Sequence, residues 1–170
     1  MKLNRKWLNE EFVDLSNVSD KEFVETLTVF GQKVETWERL DAEIKNVVVG
    51  KVLSMVRHPN SDHMWICQVD VGGDAPVQIV TGAQNVHEGD LVPTALHNSW
   101  LPGGVHITKG KLRGEVSNGM LCSFAELGLT QNDLPGVFAD GIWILEPDSA
   151  KPGDDINPII GNDDTIVDFE

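Results

Sequence analysis

Residues 45–56 read KNVVVGKVLSMV, and their character sets the fold of everything around them. The run is rich in β-branched valine and is interrupted by Gly50, a residue that lets a long strand bend. HPNSD at 58–62 is turn chemistry. MWICQVDV at 64–71 then alternates, with Trp65, Cys67, Val69 and Val71 on one face and Gln68 and Asp70 on the other. Gly72-Gly73-Asp74 turns the chain again. Further strands are expected at 76–81 (PVQIVT), 91–96 (LVPTAL) and 105–113 (VHITKGKLR), with a last apolar run at 142–145. Ser123-Phe124-Ala125-Glu126 fits a capping box, and Gly128 would stop the short helical turn it begins.

Short curved strands with one brief helix suit a small barrel, of which the five-stranded OB-fold is an example. The flanks read differently. Ser19-Asp20-Lys21-Glu22 is a second capping box, followed by Phe23, Leu27 and Phe30 on one helical face and by Gly31 as a stop. Val34, Thr36, Trp37 and Leu40 suggest a strand. DDTIVDFE at the other end is a strand that finishes without a turn or tail, so the chain is expected to be cut from something longer. The fold class expected overall is α+β: residues 1–40 plus 151–170 as a small α+β domain, with an all-β OB-fold barrel at 41–150 inserted in it. There is no internal repeat and no low-complexity segment.

The chain has 170 residues, 41% apolar and 24% charged, enough to bury a core. No apolar run approaches the roughly 20 residues that span a bilayer. MKLNRKWLNEEF has no continuous apolar segment and is not a secretory signal. Two cysteines are too few for a disulfide-stapled module, so Cys67 and Cys122 are read as free thiols in a reducing cytoplasm. The net charge is −14, which argues against a general nucleic-acid binder, because phosphate contacts need Lys and Arg. Residues 41–150 carry six Lys/Arg against thirteen Asp/Glu, so any RNA contact must come from a local patch.

One such patch stands out. Lys109, Lys111 and Arg113 lie two apart, and on a strand all three would project from one face. That stripe suits a phosphate backbone, and it equally suits a solvated strand face. Asn118-Gly119 favours a tight turn, which would hold Ser117 and Met120 at the barrel mouth or simply make a hairpin. His58, Asp62, His63 and Cys67 fit no standard zinc spacing. There is no G-x-S-x-G, P-loop or G-x-G-x-x-G, so no catalytic site is expected.

HPNSDHMWICQVDVG at 58–72, QIVTGAQNV at 78–86 and KGKLRGEVSNGMLCS at 109–123 resemble, in order, the signatures of tRNA-binding OB domains. With MKLNRKWLNEEF and DDTIVDFE, the whole chain resembles the N-terminal part of the beta subunit of bacterial phenylalanyl-tRNA synthetases. The resemblance implies an enzyme of two alpha and two beta subunits that uses ATP and magnesium to join phenylalanine to its tRNA. In that family the synthetic site lies on the alpha subunit and the editing site on later beta domains, so neither would be here. Matching positions give a candidate RNA face of His58, Asn60, Asp62, His63, Lys111, Arg113, Ser117 and Met120, to which the stripe adds Lys109. Asp62 would tie the turn to backbone N–H groups rather than face phosphate. His63 stands where relatives often carry Lys, which removes a fixed positive charge.

Overall fold

The structure, a computed structural model, describes residues 1–137 and 140–170. In chain order the elements begin β1 (Lys2–Asn4), α1 (Arg5–Glu11), α2 (Asp20–Phe30) and β2 (Val34–Arg39). Then come β3 (Lys45–Arg57), β4 (Trp65–Asp70), β5 (Val77–Thr81) and β6 (Leu91–Leu101). The short strands β7 (Val105–Ile107), β8 (Gly110–Leu112), β9 (Glu115–Ser117) and β10 (Gly119–Leu121) follow, and β11 (Thr165–Phe169) is last. The protein is mostly β, with few helices and a curled sheet of the OB kind. Its described residues form two compact units, Met1–Ala42 with Asn157–Glu170, and Glu43–Ile156.

In the first unit β11 runs antiparallel between β1 and β2. The two helices are capped as their sequences require: Asn4 Oδ1 accepts from Trp7 N at 2.9 Å, and Ser19 Oγ from Glu22 N at 3.2 Å. Phe23 of α2 is buried against Leu15, Val167 and Phe169, with Val24 and Leu27 beside it. Phe30 departs from the face expected of it. It occupies the last helical position, outside this cluster, and is 87% exposed. The helix ends there, with Gly31 N–H on Leu27 O at 2.9 Å. Asp20 is shared by Arg5 at 3.5 Å and Arg39 at 3.1 Å, which ties α2 to β2.

In the second unit β3 is the shared strand. Its first half pairs with β6 and its second half with β4, both antiparallel, and β5 pairs with β4. Gly50 sits where the strand changes partner. A Cβ there would lie 2.3 Å from Thr94 Oγ1 and 2.6 Å from Val69 Cγ1, so the two neighbouring strands close over a position that only glycine leaves free. β10 pairs with β6, and β5 reaches the β9–β10 link, where Asn118 N donates to Gln78 O at 2.8 Å. The curl encloses a core of Val52, Cys67, Val69, Ile79, Val86, Val92, Leu121 and Ile142.

Two expectations are corrected here. The strand expected over 105–113 breaks after Ile107, because the chain must turn to make its own hairpin, β8–β9. The last apolar run, Ile142–Leu145, is buried or half-buried, and its pairing is an isolated bridge between Leu145 and Leu91. Asn85 takes the place of a partner strand: its Nδ2 donates to Ile142 O at 2.8 Å and its Oδ1 accepts from Ile142 N at 3.1 Å. Asn118-Gly119 is not a hairpin turn. The chain bends at Asn118 and goes on from β9, paired with β8, into β10, paired with β6, and Gly119 is needed because a Cβ would stand 2.2 Å from Ala95 O. The capping box at Ser123 holds, with Glu126 N on Ser123 Oγ at 3.3 Å and Ser123 N on Glu126 Oε2 at 2.7 Å.

Candidate nucleic-acid interface

The turn after β3 and the β8–β9 hairpin lie far apart in sequence and are bonded together in the fold. The hairpin turns through two residues, Arg113 and Gly114, with φ of 49° and 95°. Positive φ at both central positions is the type I′ geometry that matches strand twist. His58 locks this hairpin to the turn. It is buried, its Nδ1 accepts from Asn60 N at 3.0 Å, and its Nε2 lies 2.9 Å from Leu112 O. A backbone N–H can only donate and a carbonyl only accept, so the ring is the neutral tautomer with its proton on Nε2. Asn60 and Arg113 complete the clasp: Asn60 Nδ2 donates to Arg113 O at 3.3 Å, and Arg113 Nη1 donates to Asn60 O at 3.2 Å.

Two more side chains tie the hairpin to β5, Gln78 from β5 itself and Ser117 from β9. Gln78 Nε2 donates to Val116 O at 2.8 Å. Ser117 Oγ is buried, accepts from Val80 N at 3.0 Å and donates to Gly119 O at 2.8 Å. His58 and Ser117 therefore sit behind the surface as supports. Asn60, His63, Lys109, Lys111 and Arg113 are exposed, and Met120 is half-buried in the floor beside them. The two signatures thus converge, but not as a strand stripe. Lys111 is on β8, Arg113 is in the turn, and Lys109 is in the link before β8, where its N–H meets His97 Nδ1 at 3.0 Å. A cleft of about 300 Å³ beside the hairpin is lined by Lys111, Ser117 and Met120, with His106, Ile107 and Leu112.

Asp62 does not tie the turn as expected. Its side chain is exposed, and Ser61 Oγ accepts the His63 N–H at 3.3 Å instead. The sequence reading also missed Arg57. Its guanidinium lies 3.9 Å from the centre of the Trp65 ring, directly across the β3–β4 pair, and its Nη1 donates to Asp62 O at 2.9 Å. That contact was readable, because an Arg before the turn and a Trp after it stand opposite each other in any tight β3–β4 pairing. Gln84 likewise closes the turn from the central motif, donating to His63 O at 2.8 Å.

Among the described residues no three His, Cys, Asp or Glu side chains converge as metal ligands. Burial pushes the Cys67 thiol up to about 11 and the Cys122 thiol up to about 12. Both therefore stay protonated at neutral pH, and iodoacetamide is expected to label neither until the chain is unfolded, as mass spectrometry would show. The folded chain holds these protons to higher pH than the unfolded one, whose thiols ionise near 9.0. Their contribution is thus complete below pH 9.0 and declines as pH climbs toward 11.

The family model described as "Putative tRNA binding domain" matches residues 47–153. The phenylalanine–tRNA ligase beta subunit of Clostridium acetobutylicum is 47% identical over 170 residues, all of this chain and 21% of that protein. The corresponding subunit of Lactiplantibacillus plantarum is 45% identical over 169 residues, 99% of this chain and 21% of that protein. The chain thus spans about a fifth of the length of these curated relatives. Among solved structures, the C-terminal domain of Plasmodium vivax p43 overlays with a TM-score of 0.46 and 22% identity, over 66% of this chain and 59% of that one. With the match running from residue 47 to residue 153, the chain belongs to the family of tRNA-binding domains.

Proposed function

We propose that this chain is the N-terminal part of a phenylalanine–tRNA ligase beta subunit and supplies an auxiliary tRNA-binding module without a catalytic site. The observation that carries the reading is the clasp of His58 and Asn60 on the β8–β9 hairpin, which presents Lys111 and Arg113 beside the first signature. Basic groups held on a rigid hairpin track phosphate at less entropic cost than groups on a mobile loop. Lys109, His63 and Asn60 extend the face, and Met120 floors it. The unit in the middle of the chain is read as an OB module, at 41–150, inserted into a small α+β domain of residues 1–40 and 151–170. In the whole enzyme the alpha subunit, in a complex of two alpha and two beta chains, would perform the ATP- and magnesium-dependent joining of phenylalanine to its tRNA in the cytoplasm.

The test is the triple substitution Lys109→Ala, Lys111→Ala, Arg113→Ala, with tRNA binding measured across a salt series. Each lost phosphate contact removes about 0.9 from the slope of log affinity against log salt, so the slope is expected to flatten by roughly two to three. A second reading, an architectural module with little RNA affinity of its own, draws on the net charge of −14. A triple variant that binds like the parent chain supports that reading and sinks the first.

A further inference from the structure

We propose that the cleft beside the β8–β9 hairpin receives one unstacked nucleobase of single-stranded RNA, with His106 as its stacking platform. The inference rests on the tRNA-binding reading and goes on to name what enters the cleft. His106 on β7 stands directly across from Trp100 on β6, their ring centres 4.2 Å apart and their planes within 8° of parallel. The imidazole is thus held flat against a large partner and also lines the cleft. Met120, Ile107 and Leu112 give the cleft an apolar lining, while Lys111 stands in its wall and Lys109 beside it. No atom lies within 4 Å of where a Cβ on Gly110 would be, so the cleft is open along β8.

This combination distinguishes the occupant. An apolar peptide side chain would gain from Met120 and Ile107 but nothing from the lysines. A phosphate alone would use the lysines and leave the aromatic pair and the apolar lining idle. A nucleotide uses both, its base on the ring and apolar walls and its phosphate on Lys111. The volume, about 300 Å³, is at the small end of ligand clefts and suits one planar base with its sugar.

The experiment titrates the chain with a fluorescein-labelled single-stranded RNA of about 10 nucleotides, and with the same oligomer lacking its bases, by anisotropy. The base-bearing oligomer is expected to bind about 10-fold more tightly than the abasic one. His106→Ala is expected to abolish that difference, and His106→Phe, which keeps a stacking ring, to retain it. His106 is exposed, so an unchanged melting point will certify both variants as folded. Equal binding of the two oligomers, or a base preference that survives in His106→Ala, overturns the base site and leaves phosphate tracking intact. Absence of binding to either oligomer overturns the base site and the tRNA-binding reading together.

Discussion

Gly119→Ala is expected to destabilise the unit Glu43–Ile156 by about 3 kcal/mol or more, and Gly110→Ala to leave it almost unchanged. Both residues lie in the 109–123 signature and both start short strands. They differ in what surrounds the missing Cβ. At Gly119 it would stand 2.2 Å from Ala95 O and 3.3 Å from Leu96 Cα, both backbone atoms of β6. Backbone of a paired strand cannot swing aside as a side chain does, so β10 would have to part from β6. That loosens the Gly119–Leu96, Met120–Ala95 and Leu121–Thr94 pairing and opens the core at Leu121. At Gly110 a Cβ meets nothing within 4 Å. Thermal unfolding followed by circular dichroism gives the comparison, with a fall in melting point on the order of 10 °C for Gly119→Ala. If Gly110→Ala proved as damaging as Gly119→Ala, close strand approach would not be what the Asn-Gly pair serves.

His58→Ala should cost about 2–4 kcal/mol and release the hairpin from the turn. The substitution empties a buried site and strips Leu112 O and Asn60 N–H of their partner at once. Gln78 and Ser117 would still hold β9 to β5, so the hairpin is expected to move rather than unfold with the rest of the sheet. Hydrogen exchange reports this directly: amides of β8 and β9 lose protection while those of β3 and β4 keep it. The tRNA affinity should fall as well, although His58 is buried, because Lys111 and Arg113 lose their fixed positions. A variant with native exchange in β8 and β9 would remove His58 from the clasp.

The curled sheet was legible in the sequence wherever alternation ran long enough. KNVVVGKVLSMV and MWICQVDV each formed the expected strand, and Gly50 stood out within the run, though its close approach to Thr94 and Val69 depends on strands that sequence does not place. Elements of three residues were not legible, because β1, β8, β9 and β10 are too short for a period to register. The Lys109, Lys111, Arg113 spacing suggested one strand face, yet Arg113 and Gly114 form the tightest turn of the region. Arg at a positive-φ turn position carries no local signal, so the hairpin was invisible until Leu112 and Glu115 were seen paired. The signature residues were visible by type but their roles were not. His58 and Ser117 read as surface groups, whereas burial makes them the braces behind Lys111 and Arg113.

Titration of the chain with tRNA at low and near-physiological salt decides whether this acidic chain binds tRNA through a local basic face. Trp65 stands beside the face, under Arg57, and its fluorescence gives a signal. Saturable binding at low salt that weakens steeply as salt rises is the expected result. Absence of binding at low salt would contradict it.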